Sequence, residues 1–203
     1  MFALAMTGGI AGGKSLFGRM LAGLGAEVAD ADETVRALHA PGAAGSQAVA
    51  RDFGADFLAP DGSTDRARLG ALVFADPDAR RRLEEVLHPL VRSALLAWKN
   101  RPAADPATVR VAQIPLLFES GWFSDWDAAA AVETSDIEVR VERLAGRGLS
   151  RDAALARISA QLSPETRLAR ADFAVRNDGS AEDLRAAARI LLDNIRRRMR
   201  QTP

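Results

Sequence analysis

The residues best equipped for chemistry stand near the start of the chain, where Gly8-Gly9-Ile10-Ala11-Gly12-Gly13-Lys14-Ser15 spells G-x-x-x-x-G-K-S. Glycines let a backbone turn inward so that successive N–H groups point at phosphate oxygens, and a helix starting at the loop's end adds its positive pole. In such a loop Lys14 reaches the outer phosphates of a nucleotide and the Ser15 hydroxyl ligates Mg²⁺. The amides expected to receive the phosphates belong to Gly9, Ile10, Ala11, Gly12, Gly13, Lys14, Ser15 and Leu16. Glycine-rich turns also produce this pattern by chance, so its setting decides. Residues 2–6 form a short apolar run, and Leu16, Phe17, Met20, Leu21 and Leu24 recur at helical spacing, which supplies the strand–loop–helix context the motif needs.

Two carboxylates come next. Asp30 and Asp32 follow a second apolar run at 26–29, and ligands of open α/β sheets bind along the carboxyl edge of the strands. A carboxylate there can accept an alcohol proton as the oxygen attacks a γ-phosphate; alternatively Asp32 caps the following helix, and the two roles can fall one to each aspartate. Arg140, Arg143 and Arg147 recur at spacings of three and four, on one helix face or just past its end. Such a run is often only a solvated face. Beside a phosphate loop, arginines on a mobile segment stabilise spreading charge and exclude water, and Arg143 and Arg147 are favoured over Arg140. His88, before Pro89, is a helix-break residue or part of a substrate pocket and has no general-base role, while His39 is expected at the surface. Trp98, Trp122 and Trp126 fit a core or its rim, and the arginines at 196–198 and 200 suit a helix C-terminus.

These residues need a scaffold, and the apolar periodicity alternates strands with helices. Strands are expected at 2–6, 26–29, 108–113, 128–132 and 173–175, the fourth less favoured by its alanines. A mostly helical tract lies between the second and third, with Pro89 expected to bend or divide its last helix. Residues 135–138 form a capping box for a helix to about 145, a further helix spans 151–162, Ser163-Pro164 starts another, and Ser180 caps a closing helix. The chain's 203 residues suit one α/β domain with accessories. Its 27 basic and 27 acidic residues cancel, so no global field recruits nucleic acid or an anionic membrane. The absence of cysteine excludes disulfides, zinc–thiolate sites and thiol nucleophiles. No apolar run approaches a membrane span, and Met1 leads into a core strand without a basic leader, so the cytoplasm is the expected compartment.

Taken together, residues 7–10 with 13–15, Asp30-Ala31-Asp32, Leu87-His88-Pro89, Pro115-Leu116-Leu117-Phe118-Glu119, Arg143 with Arg147, Gln161, Ala171-Asp172-Phe173 and Asn177-Asp178-Gly179 resemble the dephospho-coenzyme A kinase family. The resemblance implies a P-loop NTPase fold: three α/β/α layers on a parallel five-stranded sheet, with a core at about 1–32, 106–134 and 171–203. A helical substrate-binding insertion would occupy about 33–105 and a helical lid about 135–170. It implies ATP-dependent phosphorylation of the ribose 3′-hydroxyl of dephospho-coenzyme A, the last step of coenzyme A synthesis. On this likeness Asp32 is the base, with Lys14 and Arg143 catalytic beside it; Arg143 and Arg147 are lid arginines and Asn177 meets the ATP base. Asp30, Asp32, His88, Leu117 and Glu119 would contact the substrate, and ATP and Mg²⁺ are required.

The chain departs from that family's pattern in places. The family usually reads G-I-G-S-G-K; here Ala11 replaces a glycine and Gly12 a serine, and alanine is unstrained in the loop only at negative φ. Arg140 stands where glutamine is frequent and Gly148 where aspartate is common. Gln113 gives magnesium no acidic partner, leaving Ser15 as its protein ligand, with Asp30 or Asp32 acting directly or through water. These changes bear on rate more than on reaction type. The rivals are a kinase for another nucleotide or small metabolite, and a nucleotide-dependent switch or binding module, which lacks a guanine-reading N-K-x-D segment. The expected partners are the small-molecule substrates ATP and dephospho-coenzyme A, with no nucleic acid and no membrane, in a monomer or weak homo-oligomer.

Overall fold

The computed structural model describes residues 1–201. The chain folds as two compact units, one of residues 1–29 with the chain from Pro102 onward and one of Asp30–Arg101.

The first unit is built on a five-stranded parallel sheet in the order β2-β3-β1-β4-β5. Its strands are β1 (Phe2–Thr7), β2 (Glu27–Asp30), β3 (Val109–Gln113), β4 (Ala128–Glu133) and β5 (Phe173–Arg176). Strands buried on both faces tend to read as apolar runs, as β1 and β4 do; β3 is buried throughout although it carries Arg110 and Gln113, and the edge strands β2 and β5 are partly exposed. In β4 the helix preference of Ala128 to Ala131 is overridden, because parallel pairing with both β1 and β5 satisfies its backbone.

Side chains alternate across the sheet. Ala128, Ala130 and Val132 of β4 join Leu4 and Met6 of β1 against Phe17 and Leu21 of α1 (Lys14–Gly23) and Leu191, Leu192 and Ile195 of α9 (Ala181–Gln201). Phe17 has no exposed surface, so Phe17→Ala would cost about 3–5 kcal/mol. Glu133 lies on the opposite face of β4, where α8 (Pro164–Arg170) packs. Two helices precede α8, α6 (Ile137–Ala145) and α7 (Arg151–Ser159). The start of α6 differs from the expected capping box: Asp136 accepts from the Glu138 N–H, while Ser135 is held by Asp178. Aspartate binds an N–H of the first turn more strongly than serine, and it takes the cap.

The second unit comprises α2 (Ala31–Leu38), α3 (Ala44–Phe53), a 3₁₀ turn (Ala55–Phe57), α4 (Arg66–Ala75) and α5 (Pro77–Lys99). Asp30, Asp65 and Asp76 cap α2, α4 and α5 through their carboxylates. Pro89 does not divide α5, which runs on as one helix. The hydrogen bond lost to proline is offset by the buried row Leu87, Val91 and Leu95, spaced one helical turn apart. His39 is buried, against expectation: its Nδ1 lies 2.8 Å from Thr64 Oγ1 and its carbonyl accepts from the Thr64 N–H at 3.0 Å. A satisfied ring can leave water at little cost.

Candidate active site

The phosphate loop joins β1 to α1, and its last glycine sets up the helix start. Gly13 has φ +100, and a Cβ there would lie 2.1 Å from Asn177 Nδ2, so only glycine fits. As the N-cap of α1, Gly13 supplies no side-chain acceptor, and the first turn holds no acidic residue. No side-chain cap and no acidic residue therefore competes with an external anion for the positive pole of this helix start. Lys14 and Ser15 open this turn, with Ser15 and Leu16 exposed.

The other side of the loop is bound by protein. The Gly9 N–H donates to Glu133 Oε1 at 2.9 Å, the Ile10 N–H to Gln161 Oε1 at 2.8 Å and the Gly12 N–H to the Gly9 carbonyl at 2.9 Å. The amides of Gly9, Ile10 and Gly12, three of those expected to receive phosphates, thus have protein acceptors in this structure. The carbonyls are held too. Arg140 Nε donates to Ile10 at 3.1 Å, Arg143 to Ala11 at 2.9 Å, and Asn177 Nδ2 to Gly12 at 3.1 Å. Thr134 Oγ1 accepts from Arg143 at 2.9 Å and lies 3.2 Å from the Gly12 carbonyl. Asn177, expected to meet the ATP base, is buried with its side-chain amide donating to the Gly12 carbonyl and to Thr134 Oγ1.

Ala11 has φ +60 rather than the negative value an unstrained alanine requires. Left-handed backbone costs an alanine roughly 1–2 kcal/mol. The methyl group is buried against Val141, Leu144 and Ala154 of α6 and α7, and this packing opposes the strain.

Behind the loop lies a buried charge cluster. Arg167 holds Glu133 through Nε to Oε1 and through a second nitrogen to Oε2. Burial is the main force holding the Arg140 guanidinium below its usual pKa; Glu133 opposes the shift and Arg167 reinforces it. Arg140, given the lesser weight on sequence grounds, thus touches the loop, whereas Arg147 is exposed and has no side-chain hydrogen bond among the described residues. Glu133, Thr134 and Arg167 were not anticipated as site residues. The available signal was a lone glutamate closing an alanine strand at the ligand-binding edge of the sheet.

The remaining expected residues divide between the two units. Asp30 accepts from the Asp32 N–H at 2.8 Å and so takes the capping role, leaving the Asp32 carboxylate exposed on the first turn of α2. His88 is exposed on α5. Glu119 is exposed after β3, whereas Leu117 has no exposed surface. Gln113 is buried at the end of β3, beside Gly18 of α1, and its Oε1 has no donor.

The donors suit a hard cation held mostly by phosphate oxygens and water. An exposed Ser15 hydroxyl opens α1, Gln113 Oε1 is a neutral acceptor without a donor, and the described residues contain no group of three or more His, Asp or Glu side chains that could hold a metal ion.

Comparison with known proteins gives this arrangement a family. The model of the family described as dephospho-CoA kinase matches residues 2–183. A dephospho-CoA kinase from Anaeromyxobacter dehalogenans is 45% identical over 197 residues, spanning 97% of this chain and 93% of the relative. Among solved structures, a dephospho-CoA kinase from Campylobacter jejuni superposes with a TM-score of 0.72 at 27% identity, covering 96% of this chain and 97% of the other. A shikimate kinase from Acinetobacter baumannii, at 16% identity and a TM-score of 0.56 over 96% of this chain and 93% of its own, shares the fold.

Proposed function

The chain belongs to the dephospho-CoA kinase family, which carries out the last step of coenzyme A synthesis, and we propose how its residues divide the transfer of the ATP γ-phosphoryl group to the ribose 3′-hydroxyl of dephospho-CoA. The reading is carried by the uncapped start of α1 beneath a loop whose outer polar groups are bonded to protein. Ala11, Gly13, Lys14, Ser15 and Leu16 bind the phosphates through backbone N–H groups, and the Lys14 ammonium neutralises charge on the outer oxygens. Arg143 anchors one nitrogen on Ala11 and Thr134 and directs its remaining N–H groups at the γ-phosphate. Arg147 joins it when α6 to α8 close over the nucleotide and exclude water.

Asp32 accepts the proton of the 3′-hydroxyl as its oxygen attacks, with Asp30 holding the Asp32 backbone in place. The exposed His88 and Glu119 contribute to the acceptor site, with the buried Leu117 behind its wall. Ser15 holds Mg²⁺, with Gln113 or an aspartate acting through water. Held there, the metal would supply positive charge to offset the charge that develops on the phosphate oxygens. No helix among the described residues is long and apolar enough to cross a membrane, and we place the enzyme in the cytoplasm as a monomer or weak homo-oligomer.

A coupled ADP-release assay tests the acceptor. Dephospho-CoA stimulates release, while adenosine, AMP and shikimate do not; equal stimulation by any of these three would reject the acceptor assignment. Asp32→Asn keeps ATP affinity within about twofold and lowers kcat by about 10²–10⁴. Full turnover in that variant removes Asp32 from the mechanism.

A further inference from the structure

Charge is out of balance behind the phosphate loop. Glu133 is 0% exposed, and Arg140 and Arg167 are each 2% exposed, so one buried carboxylate faces two buried guanidinium groups. Arg167 occupies both carboxylate oxygens and the Gly9 N–H completes Oε1. Arg140 keeps its Nε on the Ile10 carbonyl, and one of its terminal nitrogens has no acceptor. Both guanidinium groups converge on Gly9, where a Cβ would lie 2.4 Å from Arg167 and 2.8 Å from Arg140. An apolar side chain would fill the Arg140 site without the desolvation cost of an unmatched cation. That cost is incurred against the backbone of the loop itself.

We propose that Arg140, seated by the Glu133–Arg167 pair, is a positioning residue for phosphoryl transfer, turning the Ile10 carbonyl away from the phosphates and supplying buried positive charge that the triphosphate balances. This rests on the reading that residues 11–16 hold the triphosphate. Arg140 lies on α6 and Arg167 on α8, so the shape of the loop and the placement of both helices are set together. In the low dielectric behind the loop the charge is little screened, and it acts on phosphates rather than on a base.

The test measures binding of ATP and of inorganic tripolyphosphate, which carries phosphates without a base, together with Tm and kcat. Arg140→Gln weakens both ligands by the same factor, about tenfold, and lowers kcat. Its Tm is unchanged or higher, because an unmatched buried cation has gone. Arg140→Lys, which keeps the charge, recovers part of the tripolyphosphate affinity. Arg140→Met, apolar and similar in length, is judged by the same criteria should the glutamine variant not fold. A lower Tm with both affinities within twofold of the parent would overturn the proposal and leave a purely structural brace. So would a loss confined to ATP. Failure of the parent itself to bind either ligand would instead reject the triphosphate site, so the two failures are distinct.

Discussion

Helices α1 and α2 each follow a strand of the same sheet, yet their first turns are built in opposite ways. α1 begins with Gly13 at the N-cap, no side-chain acceptor and no acidic residue. α2 begins with Asp30 accepting from the Asp32 N–H and carries Asp32 and Glu33 in its first turn. A bare N-terminus has unsatisfied donors and a positive pole to offer; a capped and acidic one is already satisfied and repels phosphate. The stabilisation a side-chain cap brings, about 1 kcal/mol, is absent at the start of α1, the proposed phosphate site, and present at the start of α2, which carries the proposed base.

The sharpest way to break this contrast is Ser15→Asp, which gives α1 the acidic first turn of α2. ATP affinity should fall by at least about 100-fold, from repulsion and from loss of the metal's hydroxyl, while thermal stability is unchanged or rises by about 0.3–1 kcal/mol through the helix dipole. Titration calorimetry and a melting curve read the two effects separately. Undiminished ATP binding would mean that the helix start is not the phosphate site. The reverse change, Asp30→Ala, removes the cap of α2 and should cost about 1 kcal/mol in chemical denaturation, with ATP affinity unaltered. A drop in kcat alongside it would show that the cap also aims Asp32.

The smallest effect concerns the other end of α2, where buried His39 closes the helix. Burial, with Arg66 in support, lowers its pKa below the ordinary 6.5. The unfolded chain then takes up a proton before the folded one does. This contribution to stability is complete above about pH 6.5 and is lost as pH falls from there through the lowered folded value. Tm measured from pH 7.5 to 5 should decline, and His39→Asn should flatten part of that decline.

The strand–loop–helix start was legible because glycine spacing and helical apolar periodicity are local properties, and β4 was found despite its alanines. Pro89 misled, since the tertiary packing of Leu87, Val91 and Leu95 overrides a local helix breaker. Within the candidate site, the place of Lys14 and Ser15 at the start of α1 followed from the motif's spacing, and the capping ambiguity at Asp30 and Asp32 was foreseen. The division of the loop amides was not legible, because it depends on which way each peptide plane turns. The partners that turn them, Glu133, Arg140, Gln161 and Arg167, lie far along the chain; the helical spacing of Arg140 shows its face but not its partner, and a lone Glu133 or Arg167 carries no periodic signature.

Those distances bear on biogenesis. The eight residues of the loop are synthesised well before the side chains that shape them, which lie at positions 133 to 177. A nascent chain ending before β4 would display the whole motif and have none of its scaffolding, so ATP could not act as a cotranslational folding ligand. Contacts of such long sequence separation also form slowly. Nucleotide capture should therefore be among the last properties the newly made protein acquires.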